Sequence, residues 1–169
     1  LLEQLEKEIR GWLKYSVAER ILTMAREKFQ KERQPAVIQH ATTSFKAITN
    51  GEYTDIFATL GEETIKVIDK RGRQKTPDQL SRGTREQLYL ALRLGLIRNY
   101  QTSSSIILPV IVDEITVNFD PGRTLNTLSL FSDLSTTHQI LVFTCHEEIK
   151  NKIKLAYPNA QIEDVSSYK

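Results

Sequence analysis

Along the first part of the chain, apolar residues recur in steps of three and four, at Leu2, Leu5, Ile9, Leu13, Val17, Ile21 and Met24. That spacing draws one stripe along a helix. A strict heptad is not kept, so the stripe fits either the irregular end of a coiled-coil arm or an amphipathic helix lying on its own domain. Gln34-Pro35 interrupts it, because proline disfavours helix in the residue before it and removes a backbone donor. A second helix is predicted beyond, with Val37, Ala41, Phe45 and Ile48 on one face and Asn50-Gly51 as its C-terminal cap. Residues 1–34 and 35–169 are thus expected to be separate units.

From residue 52 to 69 the period changes. "YTDIFATL" and "TIKVID" are β-prone runs separated by "GEE" and followed by "KRGRQK", which predicts a small antiparallel unit. Lys70, Arg71, Arg73 and Lys75 make its second turn basic, as a solvated hairpin tip or as a contact with a phosphate backbone. Beyond residue 80 the pattern alternates helix and strand. The helix in "DQLSRGTREQLYLALRLGLIRNY" is apolar on nearly every face and should be buried on several sides. "SIILPVIV" and "QILVFT" are continuous apolar runs, of the kind found in parallel strands buried on both faces and covered by helices. The fold class is α/β.

Composition narrows the setting. A chain of 169 residues makes one domain, with or without an appendage, and buries roughly 70% of its unfolded surface. A net charge of +2 is too mild to mark a nucleic-acid protein by itself. The single cysteine, Cys145, excludes an intrachain disulfide framework and a Cys-rich zinc site, and fits a reducing compartment. It is expected to be a small buried neighbour of the site with no nucleophilic role. No apolar run approaches the ~20 residues of a membrane span and no signal peptide is visible, so the expected location is the cytoplasm. The chain opens Leu1-Leu2 rather than with Met, and a continuation upstream is expected.

In open parallel sheets ligands sit beyond the carboxyl ends of the strands. There the sequence puts Asp113-Glu114 after one run and Thr144-Cys145-His146 after the other. Two acids closing a hydrophobic strand suit a Mg-nucleotide site, one holding the metal and the other orienting the attacking water, although loop acids and a satisfied histidine would read the same. Ser81 and Gly83 precede the buried helix, whose first-turn N–H groups favour an anion. Plain capping, with Thr84 and Gln87 as a capping box, is the alternative. Asp120-Pro121 reads as an N-cap with proline at the first helical position.

Taken together and in order, "LSRGTREQ", "IILPVIVDE", "NFD" and "VFTCHEE" resemble the signature motif, Walker B strand, D-loop and switch-histidine segment of ABC-type ATPases. The wording is closer to the chromosome and repair branch (SMC, RecN, SbcC and YhaN-like proteins) than to transporters. The resemblance covers residues 35 to 165 and implies the C-terminal lobe of a P-loop NTPase head, with residues 1–34 as the stub of a coiled-coil arm. It implies that Asp113 binds Mg2+ through water, that Glu114 polarises the hydrolytic water and that His146 senses the γ-phosphate of ATP. Glu114 departs from the Asp that YhaN-like relatives often carry. Ser81, Arg82, Gly83 and Gln87 would meet ATP held by the opposite head, and Asn118 and Asp120 would lie in the D-loop at the dimer interface. No G-x-x-x-x-G-K-[ST] sequence is present, so the implied partners are the chain's own Walker A lobe, a second head across sandwiched ATP, and DNA, with no membrane. The chain alone is expected neither to bind ATP tightly nor to hydrolyse it. A transporter ATPase and a non-catalytic module of the same shape are the competing readings.

Overall fold

The computed structural model describes residues 2–32, 35–58, 64–103 and 107–165. The predicted "GEE" turn, Gln34 and Ile106 lie outside the described residues. Helix α1 spans Leu2–Glu32. Its apolar residues from Ile9 to Met24 are about half or more exposed, Ile21 at 60% among them, so this part of the stripe is not seated on the rest of the chain. Pro35 caps helix α2, Ala36–Ile48. The helix closes where Asn50 and Gly51 enter the left-handed region at φ 52° and 75°, and Gly51 N–H returns to the Lys46 carbonyl at 2.8 Å, as the Asn-Gly pair predicts.

Strands β1 (Tyr53–Ala58), β2 (Ile65–Asp69) and β3 (Gln74–Lys75) form an antiparallel sheet in the order β1-β2-β3. Alternation puts Ile56 and Val67 under α2. Thr42 pins the helix to the sheet, its hydroxyl accepting from Ile56 N–H at 3.2 Å. The basic turn closes on itself. The Asp69 carboxylate accepts from the N–H groups of Arg71 and Arg73 and from Arg73 Nε, with Lys75 Nζ 3.6 Å away. Burial opposes ionisation of Asp69, but the Arg73 side chain and both N–H groups outweigh it and hold the carboxyl at about 2. Arg73 and Lys75 therefore neutralise an acid of their own hairpin, the role of a folded tip.

After a 3-10 turn at Pro77–Gln79, helix α3 runs from Arg82 to Ser103 and packs on α2. Gly95 permits the approach: a Cβ there would meet the Ala41 backbone nitrogen at 2.9 Å and would press still closer on the Val37 carbonyl. Leu88, Ala91 and Leu94 fill the contact together with Phe45 and Ile48. Ser44 in this core has a buried hydroxyl with no partner among the described residues.

Strands β4 (Val110–Asp113) and β5 (Ile140–Phe143) pair in parallel, Val110 opposite Ile140 and Asp113 opposite Phe143, across helix α4, Pro121–Ser135. Helix α5, Glu147–Ala156, ends the described elements. The architecture is α/β with a parallel pair and a small antiparallel sheet, as the alternating pattern predicts. Burial on both faces is not observed. Val112 is buried under α4, whereas Ile111 is 67% and Phe143 46% exposed, because helical cover lies on one side of the pair alone among the described residues.

Candidate functional site

The parallel register sets the carboxyl ends of β4 and β5 side by side, so the segments that follow them share one rim. Asp113 ends β4 and is exposed. Glu114 turns out of the strand at φ 48°, a region that costs a non-glycine residue about 1–3 kcal/mol and clusters at functional positions. Its N–H still bonds to the Phe143 carbonyl at 3.1 Å, and the departure aims its carboxylate across to the post-β5 segment. There one oxygen accepts from Cys145 N–H, and the other lies 3.4 Å from both the Thr144 hydroxyl and His146 Nε2. The Cys145 N–H first, and then its thiol, hold the Glu114 carboxyl below the usual range. Glu114 is thus an anionic acceptor at neutral pH. The same contact pushes the Cys145 thiol up, which agrees with a non-nucleophilic cysteine. Cys145 is exposed, however, and not buried as expected, since no helix among the described residues covers the rim at that point. His146 caps α5, and its N–H is fixed by the Thr144 hydroxyl at 3.1 Å.

A second constellation gathers at the start of α3. Ser81 is exposed and caps the helix itself, its Oγ accepting from Thr84 N–H at 3.3 Å and lying 2.8 Å from Thr84 Oγ1. The Thr84–Gln87 capping box, the alternative to an anion site, is not formed, because Thr84 is already inside the helix and Gln87 is buried at 1% exposure. Gly83 is required by a neighbour within the chain: a Cβ would stand 2.6 Å from the Asn118 carbonyl. Arg82 points outward to Glu86 at 3.1 Å, and Asn118 Nδ2 donates to Glu86 at 2.8 Å. The Asn118 hydrogen bond, with Arg82, keeps the Glu86 carboxyl low against the opposing effect of burial. Asp120 caps α4 through Arg123 N–H at 3.0 Å.

Arg123, which the sequence reading passed over, joins these pieces. Its guanidinium donates to Gln87 Oε1 at 2.9 Å and Thr84 Oγ1 at 3.1 Å, and pairs with Asp120 at 3.1 Å and with Glu52. The signal available in sequence was its place three residues after an Asp-Pro cap. Ser81, Gly83, Gln87, Asn118, Asp120 and Arg123 together line an open polar cavity of about 480 Å³. The nine predicted site residues therefore fall into two groups, with Asp113, Glu114 and His146 on the rim and the other six around the start of α3.

In fold the chain is similar to SMC head domains. A structure from a study of ATP-driven dimerization and DNA-stimulated activation of SMC ATPases matches at a TM-score of 0.57, with 14% identity over 79% of this chain and 76% of that one. The Smc head with coiled coil and joint from Pyrococcus yayanosii matches at 0.55, with 19% identity over 89% of this chain and 29% of that one. In sequence, the chain is a homologue of part of the uncharacterized protein YhaN of Bacillus subtilis, 31% identical over 161 residues, which are 95% of this chain and 16% of YhaN. No protein-family profile matches. No helix among the described residues is long and apolar enough to cross a membrane.

Proposed function

We propose that this chain is the C-terminal lobe of an SMC-like, YhaN-like ATPase head, with residues 1–34 the end of its coiled-coil arm and residues 35–169 the lobe. The observation that carries the reading is Glu114, held in a costly backbone conformation so that its carboxylate meets the segment bearing His146. The exposed carboxylate of Asp113 and the half-buried one of Glu114 are hard oxygen donors that fit Mg2+. Asp113 would hold the ion through water, and the ion would neutralise charge on the β- and γ-phosphates. Glu114, ionised and fixed by Cys145 and Thr144, accepts a hydrogen bond from the attacking water and orients it. His146 Nε2 lies beside Glu114 and donates to the γ-phosphate. Ser81 and the start of α3 present a hydroxyl and N–H groups to the nucleotide of a second head, with Asn118 and Asp120 at the boundary between the two.

The exposed apolar face of β4 and β5 is the seat for the lobe that carries the phosphate-binding loop. Head dimerisation would move coiled-coil arms on DNA in chromosome maintenance or repair, in the cytoplasm. The lobe alone should bind MgATP no more tightly than millimolar, and micromolar affinity measured by calorimetry would contradict this. With a Walker A lobe present, Glu114→Gln should preserve ATP binding while slowing hydrolysis at least ~100-fold. An unchanged rate would leave the non-catalytic module as the better reading. DNA stimulation that fades steeply with salt separates the proposal from a transporter ATPase.

A further inference from the structure

Glu114, Cys145 and His146 offer three ligand atoms of different chemistry, a carboxylate oxygen, a thiol sulfur and an imidazole nitrogen, all within 4.8 Å of one another. Nucleotide hydrolysis uses two of them and leaves the sulfur idle. The thiol is exposed, and it is the chain's only cysteine. A mixed S, N, O set of three with one open position is a tetrahedral transition-metal site, and its thiolate selects Zn2+ or Co2+ over Mg2+. The set is also supported from behind. Thr144 places its hydroxyl 3.4 Å from Glu114 Oε2, the kind of outer contact that orients a ligating carboxylate, and accepts from the His146 backbone N–H at 3.1 Å, which fixes the loop that carries Cys145 and His146.

From this cluster we infer that the rim is a Zn2+ site, one ion per chain, bound by Glu114, Cys145 and His146 with release of the thiol proton to solvent. If the function proposed above holds, an ion seated there withdraws Glu114 and His146 from the hydrolytic water, so zinc arrests turnover while leaving nucleotide binding intact. Binding itself does not depend on that reading and can be measured without nucleotide.

The test uses Co2+ as the spectroscopic probe and Zn2+ as its competitor on the purified chain. One equivalent of Co2+ should produce the near-ultraviolet sulfur-to-cobalt band and tetrahedral visible bands, and Zn2+ should bleach both. With a single cysteine, any sulfur band reports Cys145. Cys145→Ser should abolish it, His146→Gln should weaken the site at least ~10-fold, and Thr144→Val should do so by about 10-fold. Zn2+ should also slow alkylation of Cys145. Cys145 and His146 are exposed and Thr144 is only partly buried, which lets the variants fold, and an unchanged circular dichroism spectrum checks this. A missing sulfur band, a stoichiometry of one ion per two chains, or alkylation indifferent to Zn2+ overturns the site. A bound ion with unaltered ATP hydrolysis in the joined head keeps the site and removes the arrest.

Discussion

The β4–β5 pair is more apolar in sequence than the α2–α3 pair, yet Leu88, Ala91 and Ile48 are sealed to 0% exposure while Ile111 and Phe143 stand 67% and 46% exposed. The first pair finds its complement inside the chain: two helices interlock at Gly95, and the antiparallel sheet closes the other side. The second pair has α4 beneath it and nothing above it among the described residues. Parallel strands are normally covered on both faces, so the contrast separates a finished core from half of a layer. It also separates two kinds of site. The start of α3 is cross-braced by Arg123, whereas the rim hangs on one strained residue, Glu114, and a short loop.

The largest effect should come from disturbing the finished core. Gly95→Ala puts a methyl group against the Val37 carbonyl and the Ala41 backbone nitrogen. Backbone on a packed helix cannot swing aside, so α2 and α3 must separate. A loss of about 3 kcal/mol is expected, at the upper end of overpacking costs, and urea denaturation would register it. A loss below about 1 kcal/mol would mean that the helices are free to slide and that the first region is less rigid than its packing implies.

Arg123→Ala comes next. Arg123 braces α3, α4 and the β1 end by touching Thr84, Gln87, Asp120 and Glu52 together. Removing it leaves the buried Gln87 amide oxygen without that donor, at about 1–3 kcal/mol. Arg123→Lys cannot span the same fork and should recover less than half. Thermal unfolding of both variants would decide it, and equal stability of Lys and Arg there would reduce the brace to a simple charge.

These two residues also show where reading the chain as text stops. Helix stripes, the Asn-Gly cap, the β hairpins and the parallel strands were legible because each is a local pattern with its own period. The rim was legible for the same reason, since parallel register alone brings the residues after two strands together. Gly95 and Gly83 were not, because the Val37 and Asn118 carbonyls that require them lie far along the chain. The Asn118 carbonyl against Gly83 is a packing demand from within the chain that the local sequence does not announce. Arg123 was hidden similarly, its partners coming from three separate segments. The exposed face of β4 and β5 could not be foreseen either, because an apolar strand records that it is to be covered and not by which chain segment.

The Asp69 hairpin tests electrostatics within the finished region. Its carboxyl sits at about 2 in the fold against an ordinary 3.8, so the folded state holds fewer protons than the unfolded state between those values. Stability from this group is fully present above pH 4 and is lost as pH falls through about 2. Asp69→Asn should therefore lower stability at pH 7 and flatten its decline between pH 4 and 2, a comparison made by denaturant titration at each pH. An unaltered slope would show the acid loss to come from other carboxylates.

The smallest effect is expected where a core substitution would be severe. Ile111→Thr keeps the β-branched shape that suits a strand and changes only the polarity of a side chain that is already 67% exposed. Since little apolar surface leaves water when this chain folds there, stability should shift by no more than about 0.5 kcal/mol. Leu88→Ala, in the sealed region, should cost about 2–5 kcal/mol. If Ile111→Thr also costs more than 2 kcal/mol by urea denaturation, the face is covered within the chain and the distinction between the two regions fails. If it costs nothing here yet weakens association with a Walker A lobe, the face is an interface, and its apolar sequence is explained by a partner lobe instead of by this core.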